Sequence, residues 1–237
     1  MAMALHQGLT APGGLKPKYK RTPVPLHFPE YELMPETGVH VELKQAVYDV
    51  LRDEFQGHAT IACDQFLYWD PTNPKRCLAP DVMIRPGGPD ELVRTWKVWE
   101  RGAPLVAVEV ISRGDARDDA GDEAWEKKLD GYRHTGIAEI VRFDCEDAVH
   151  PLRVWDHVNG DLVERELSGG RVAASHLGLY WVVVPHAACG LMLRLARDAE
   201  GQQLLLTPRE RAEAERERAE AALRRVAELE ALLKERG

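Results

Sequence analysis

Two acidic residues lie inside segments that are otherwise apolar enough to form buried strands. Asp81 follows a proline and leads the run PDVMI (residues 80–84), and Glu109 interrupts the still more apolar run LVAVEVIS (residues 105–112). An ionised carboxylate in a buried strand is costly unless a partner group or a metal ion compensates its charge. The pattern therefore predicts that two strands deliver Asp81 and Glu109 to a compensated site.

A lysine on a predicted helix supplies a third member of this site. Residues 119–134 have the spacing of an amphipathic helix, whose apolar stripe consists of Trp125, Leu129 and Tyr132. At about 100° per residue, Lys128 lies roughly 60° from the stripe residue Trp125, whereas Lys127 lies about 160° away and faces water. Lys128 is therefore expected to reach inward toward the strand that carries Glu109.

Two buried acids and an inward lysine are the groups that metal-dependent phosphodiester hydrolysis needs. Carboxylates are hard oxygen ligands that hold Mg²⁺ together with several waters, and an ammonium group steadies a water or a phosphate oxygen. For Lys128 alone, the alternative is a side chain that extends along the surface to pair with an exposed acid. The two acids in the strands favour the inward orientation.

Composition narrows the class of protein and excludes several kinds of site. The chain has 237 residues, of which 44% are hydrophobic and 30% charged, as expected for a soluble domain with appendages. No apolar run approaches the length of a membrane span, and the first residues lack the features of a secretory signal, so a cytoplasmic location is expected. The four cysteines are scattered without the paired spacing of a zinc site.

Net charge argues against a broad nucleic-acid-binding surface. The formal charge is −8, and phosphate neutralisation requires clustered lysine and arginine. Part of this acidity lies in residues 115–126 and at the predicted metal positions, where a bound cation offsets it. One basic cluster, residues 16–21, lies in the N-terminal segment, where a solvated tail is the preferred interpretation over a phosphate contact.

The order of predicted elements indicates an α+β fold. Residues 1–30 are rich in Gly, Pro and Lys and predict a flexible arm, and residues 31–207 are expected to form one domain. Residues 91–101 predict a short helix or an irregular loop. The domain is expected to begin with a helix at 39–55 and to contain, besides the helix of Lys128, extended segments at 59–69, 81–85, 105–111, 137–143, 152–158, 162–167, 179–185 and 190–196.

The last segment, residues 208–237, is a charged helix in composition. Pro208 is suited to the first helical position, and the rest is almost entirely Glu, Arg, Ala and Leu. Glu215 breaks an otherwise apolar seam at coiled-coil spacing, which consists of Ala212, Ala219, Ala222, Val226, Leu229 and Leu233. A coiled coil of about three heptads, and with it a homodimer, is one interpretation; a single solvated helix is the other.

Several short motifs, taken in order, carry a resemblance to a known family. They are ETGVH (36–40), APDV (79–82), KVWERG (97–102), VEVIS (108–112), KLDGY (128–132), GIAE (136–139), Asp144, LGL (177–179), LRL (193–195) and LLLTPRE (204–210). With these motifs the chain resembles the Uma-type restriction endonucleases, a bacterial branch of the PD-(D/E)xK nuclease superfamily. The resemblance implies a restriction-endonuclease-like mixed β-sheet core flanked by helices, with extra β-hairpins and a charged C-terminal helix.

The resemblance also implies a role for each site residue. Asp81 and Glu109 would ligate Mg²⁺ or Mn²⁺, and Lys128 would orient the attacking water or stabilise the transition state. The superfamily lysine position is occupied here by Ile111, but the Uma-type pattern moves the lysine to the next helix, which matches Lys128. A backbone carbonyl of Val110 or Ile111 would complete the ligand set.

Three residues near these motifs are open to more than one interpretation. Glu36 or His40 would act as an additional metal ligand or as a hydrogen-bond partner of one. For His40, a helix-start residue satisfied by local hydrogen bonds is an equal alternative. Tyr132, one turn beyond Lys128, is interpreted as a packing residue.

Two departures from the family pattern accompany the resemblance. Residues 113–115 (RGD) replace a Ser/Thr-rich start to the crossover, and Arg142 lies in a strand that is commonly aromatic and apolar. Neither departure touches a predicted metal ligand.

Two functions from different classes follow. The first is a metal-dependent DNA endonuclease in which a metal-activated water attacks a phosphodiester bond. The second is a catalytically inactive nuclease-fold protein that binds a protein partner through its C-terminal helix. A glycosidase with paired carboxylates is weaker, because that chemistry leaves the inward lysine unexplained.

Overall fold

The computed structural model describes residues 26–29, 36–111, 122–167 and 170–236. Three predicted features lie outside the described residues. They are most of the N-terminal arm with its basic cluster at 16–21, the residues 113–115 that depart from the family pattern, and the predicted start of the Lys128 helix. The described residues form four helices: α1 Gly38–Glu54, α2 Val98–Arg101, α3 Asp122–Tyr132 and α4 Pro208–Arg236. They also form the strands β1 Ala59–Cys63, β2 Leu67–Tyr68, β3 Cys77–Leu78, β4 Val82–Pro86, β5 Trp96–Lys97, β6 Val106–Ile111, β7 Glu139–Asp144, β8 Leu152–Val158, β9 Asp161–Glu164, β10 Arg171–Ala174, β11 Leu179–His186 and β12 Gly190–Ala196.

A six-stranded mixed sheet in the order β1-β4-β6-β7-β8-β9 forms the centre of the fold. Strands β6 and β7 are parallel, and the other neighbours in this sheet are antiparallel. The connection between the two parallel strands contains α3, as expected because parallel neighbours need a crossover. Two three-stranded sheets, β10-β11-β12 and β3-β2-β5, accompany the central sheet. The predicted α+β class, with a mixed sheet flanked by helices, is confirmed.

Each face of the central sheet has its own hydrophobic core. Alternation along β6 sends Val106, Val108 and Val110 to the face covered by α1 and β10–β12. Ala107 points to the opposite face, where α3 packs. Glu109 has the same parity as Ala107 and therefore lies on the α3 face.

Among the described residues, helix α4 is fixed to the domain only at its first turns. The Thr207 hydroxyl accepts from the Glu210 backbone N–H at 3.2 Å, and the Glu210 carboxylate accepts from the Thr207 backbone N–H at 2.8 Å, which is a capping box. Buried Arg194 of β12 holds the same carboxylate with two hydrogen bonds of 2.8 and 2.7 Å. Farther along, the apolar side chains of the predicted seam are exposed, from 45% at Leu229 to 71% at Leu233.

One strand prediction was wrong in detail, and three strands were not predicted. The extended segment predicted at 59–69 is broken at Asp64, whose φ of +62° ends β1, a conformation that short polar residues tolerate best among non-glycines. The backbone N–H of Asp64 bonds to the carbonyls of Pro80 and Asp81 instead of continuing the strand. Strands β3, β5 and β10 were not predicted. Within the described residues no helix is long and apolar enough to cross a membrane.

Candidate active site

Asp81 and Glu109 lie side by side on neighbouring strands. The antiparallel register pairs Val82 of β4 with Val108 of β6, and one further step places Asp81 opposite Glu109. Side chains directly opposite each other in such a pair are about 5 Å apart at Cβ. Both residues are only 1% exposed, so the structure brings together the two buried carboxylates predicted from the sequence.

Asp81 receives hydrogen bonds from both sides. His40 Nε2 lies 3.1 Å from Oδ1, and the Val110 backbone N–H donates to Oδ2 at 2.7 Å. Burial raises the pKa of Asp81, but the hydrogen bond and charge of His40, the charge of Lys128 and the Val110 N–H outweigh it and hold the pKa below its usual value. Asp81 is therefore the carboxylate of the pair that stays ionised.

The start of α1 positions His40. Thr37 caps the helix, and its hydroxyl accepts from the His40 backbone N–H at 3.1 Å. The imidazole is buried, at 4% exposure, and its Nε2 is within hydrogen-bond distance of Asp81. The local alternative accounts for the His40 backbone but not for its side chain.

Glu109 is held by two residues of α3. Lys128 Nζ donates to Oε2 at 2.9 Å, and the Tyr132 hydroxyl donates to Oε1. Burial is the largest cause that raises the pKa of Glu109 to about 7; the charge of Lys128 opposes this shift and the charge of Asp81 adds to it. Close to neutral pH, this carboxyl group is therefore partly protonated.

The helical geometry predicted for α3 is confirmed. Trp125, Leu129 and Tyr132 are buried, Lys127 is exposed, and Lys128 is directed inward. The interpretation of Tyr132 as a packing residue was incomplete, since its fully buried ring also brings the hydroxyl to Glu109. Its position one turn after Lys128, on the same face of the helix, was the signal that could have revealed this role.

A second polar cluster lies beside the acid pair and was missed in the sequence. Buried Lys44 of α1 donates to Glu36 Oε2 and to Asp64 Oδ2, both at 2.6 Å. Burial lowers the pKa of Lys44, but these two hydrogen bonds outweigh it and the pKa is raised. Glu36, predicted as an additional metal ligand, is thus neutralised by a lysine. The spacing of Lys44, four residues after His40, was the available signal.

Another acidic group lies on the opposite face of the sheet. Ligand atoms of Glu139, Asp156 and His176 lie within 4.8 Å of one another. Arg165 already neutralises the two acids, with contacts of 2.9 Å to Glu139 and 2.6 Å to Asp156. Trp181 Nε1 also donates to Glu139 at 2.8 Å. This group is best understood as an arginine-centred network that supports the fold.

Comparison with known families agrees with this geometry. The model of the Uma2 family, described as "Putative restriction endonuclease", matches residues 30–184. The chain belongs to the Uma2 family. The match includes Asp81, Glu109 and Lys128 and ends within β11, whereas the motif resemblance was expected to extend to Glu210.

Comparisons with solved structures and with curated proteins are less informative than the family match. One similar solved structure is described as "a putative nuclease belonging to DUF820" from Anabaena variabilis ATCC 29413, with 13% sequence identity and a TM-score of 0.44. The similarity covers 61% of this chain and 76% of that chain. No curated protein matches this Uma2 member at a significant level.

Proposed function

We propose that this Uma2-family protein is a metal-dependent DNA endonuclease that hydrolyses phosphodiester bonds with water. The observation that carries the proposal is the buried pair Asp81–Glu109 with Lys128 on Glu109. Two ionised carboxylates that are neighbours and deeply buried cost folding free energy unless a cation binds between them. Family membership supports a nuclease, and the pair supports its dependence on a metal.

The donor set fits Mg²⁺ or Mn²⁺. Asp81 and Glu109 supply carboxylate oxygens, which hard divalent ions prefer, and the raised pKa of Glu109 lets a cation displace its proton near pH 7. When bound, such an ion lowers the pKa of a water and offsets phosphate charge. Glu36 is a weaker member of this set because Lys44 neutralises it, and its role as a ligand stays a prediction.

The surrounding residues orient the two acids. His40 and the Val110 N–H fix both oxygens of Asp81, and Tyr132 fixes one oxygen of Glu109. Lys128 bonds the other oxygen from the edge of the site, at 12% side-chain exposure. From there we propose that the ammonium group steadies the attacking water or a phosphate oxygen.

Cleavage of supercoiled plasmid DNA with Mg²⁺ or Mn²⁺ tests the proposal. We expect nicking by the wild type and its loss in Asp81→Ala, because the metal site loses the acid that stays ionised. Calorimetric titration with Mn²⁺ should show a binding site in the wild type and none in Asp81→Ala. Asp130→Ala, at a 68% exposed acid on α3, is the matched control. A wild type that neither nicks DNA nor binds Mn²⁺ would overturn the proposal and favour the inactive nuclease-fold alternative.

The exposed seam of α4 supports a second proposal, a homodimer joined through this helix. Such a coiled coil is compatible with the endonuclease and is also the surface that an inactive interaction module would use. Leucine side chains up to 71% exposed on one face of a helix are typical of an unfilled coiled-coil seam.

Charge placed in this seam is expected to abolish the dimer. The double variant Val226→Glu, Leu229→Glu should be a monomer by sedimentation, because it introduces like charges at facing positions. Ala227→Glu, Ala231→Glu adds the same charge on the outer face and should remain a dimer. A wild type that sediments as a monomer at all concentrations would refute the homodimer.

A further inference from the structure

We propose that Arg142 and Arg153 form an arginine row that binds backbone phosphates of the DNA strand beside the bond that is cut. The proposal rests on the endonuclease function above and names the residues that hold its substrate. It also addresses how a chain of net charge −8 engages a polyanion, since a few well-placed arginines replace a broad basic surface.

Strand register places the arginine row next to the acid pair. Arg142 of β7 pairs with Glu109 of β6 on one side and with Arg153 of β8 on the other. Residues in register on adjacent strands point to the same face, about 4.8 Å apart per strand. Asp81, Glu109, Arg142 and Arg153 therefore form one line across four strands, on the face that α3 covers.

Arg142 carries a buried donor that no described residue of the chain uses. The residue is 6% exposed, its guanidinium lies 5.5 Å from the centre of the Trp125 ring, and Nη2 donates to Asp144 at 3.2 Å. Among the residues that the structure describes, its Nε is buried without a hydrogen-bond partner, and so is Nε1 of Trp125. Buried donors in native proteins are nearly always paired, so two such donors in one cluster indicate an acceptor that lies outside the described residues, and phosphate oxygens are acceptors of the right charge.

Arg153 extends the row toward solvent. Its side chain is 32% exposed, and its guanidinium lies 4.8 Å from the centre of the Trp155 ring. Two hydrogen bonds of 2.7 Å join it to Glu164, an exposed pair of the kind that contributes little to stability and is readily exchanged for a phosphate. The rings of Trp125 and Trp155 lie 5.2 Å apart, so one aromatic pair orients both guanidinium planes.

Salt-dependent DNA binding tests the row. Anisotropy of a fluorescein-labelled duplex oligonucleotide would be measured with the full chain in Ca²⁺ at several salt concentrations, with intact DNA verified afterwards. We expect Arg153→Gln and Arg142→Gln each to weaken binding several-fold and to reduce the slope of log K against log salt by about 0.9. Arg153→Lys should keep the slope. Arg197→Gln is the matched control, because Arg197 also makes two hydrogen bonds to one glutamate, Glu54, and it should behave as wild type.

The outcomes separate this proposal from the endonuclease function. Suppose that the wild type nicks plasmid, but that Arg153→Gln and folded Arg142→Gln both keep the wild-type slope of log K against log salt. This result would overturn the arginine row and leave the endonuclease function standing. If Arg142→Gln fails to fold by thermal melting, Arg153→Gln decides. A wild type that neither nicks nor binds DNA would overturn the function and the row together.

Discussion

Replacing Lys128 with alanine is expected to slow plasmid nicking by about 10²–10³-fold, a loss typical of removing one charged group that stabilises a transition state. The physical reason is the position of its ammonium group, 2.9 Å from Glu109 at the edge of the buried acid pair. Mn²⁺ binding should survive, because both carboxylates remain. The measurement is the nicking rate under saturating Mn²⁺, with calorimetry on the same samples.

Lys127→Ala is the matched control for this result. It removes the same charge from the same helix, but Lys127 faces water, so its nicking rate should equal that of the wild type. Equal rates for Lys128→Ala and Lys127→Ala would show that Lys128 only balances the charge of Glu109. Loss of Mn²⁺ binding in Lys128→Ala would instead show that the lysine organises the ligands.

Glu109→Gln is expected to abolish Mn²⁺ binding and nicking and, at the same time, to stabilise the metal-free protein at pH 8. Burial raises the pKa of Glu109 from 4.5 to about 7 in the folded protein. Below about pH 4.5 the carboxyl is protonated in both folded and unfolded states, and its full contribution to stability is present. As the pH rises toward and through 7, that contribution is lost, because only the folded state resists ionisation.

The free energy of unfolding in EDTA therefore distinguishes the variant from wild type by pH. We expect Glu109→Gln to be more stable by about 1–3 kcal/mol at pH 8 and nearly equal at pH 4.5. Glutamine keeps an oxygen that accepts from Tyr132. Glu126→Gln, at an exposed position of α3, should show no such difference between the two pH values. A Glu109→Gln variant less stable than wild type at pH 8 would mean that the ion pair with Lys128 outweighs the cost of burial.

The parts of the site that the sequence predicted share a local signature. Asp81 and Glu109 stand out because a charge interrupts an apolar run, and Lys128 because helical spacing fixes its direction relative to Trp125. Each inference needs only neighbours within a few residues. The same locality allowed the boundaries of α1, β8 and β12 to be predicted within about one residue.

The parts that were missed or left open depend on pairing between distant segments. The contact of His40 with Asp81 joins residues 41 positions apart, and no pattern within α1 distinguishes it from a residue satisfied locally. Lys44 and Asp64 meet because the left-handed backbone conformation of Asp64 ends β1, and its N–H bonds to the carbonyl of Pro80. The arginine row depends on the register of β6, β7 and β8. A shift of one residue in the pairing of a strand would turn its arginine to the opposite face of the sheet.

The attachment of α4 has a consequence for the proposed homodimer. Because Arg194 and the capping box hold its first turn, the helix is a rod of 29 residues, about 43 Å long, that starts at a fixed point on the domain. In the proposed homodimer, a parallel pair of such rods would bring the two domains to the same end. An antiparallel pair would separate them by roughly the rod's length, about 13 base pairs at 3.4 Å per step. In the proposed homodimeric endonuclease, the direction in which the two α4 helices pair would set the stagger between the two nicks.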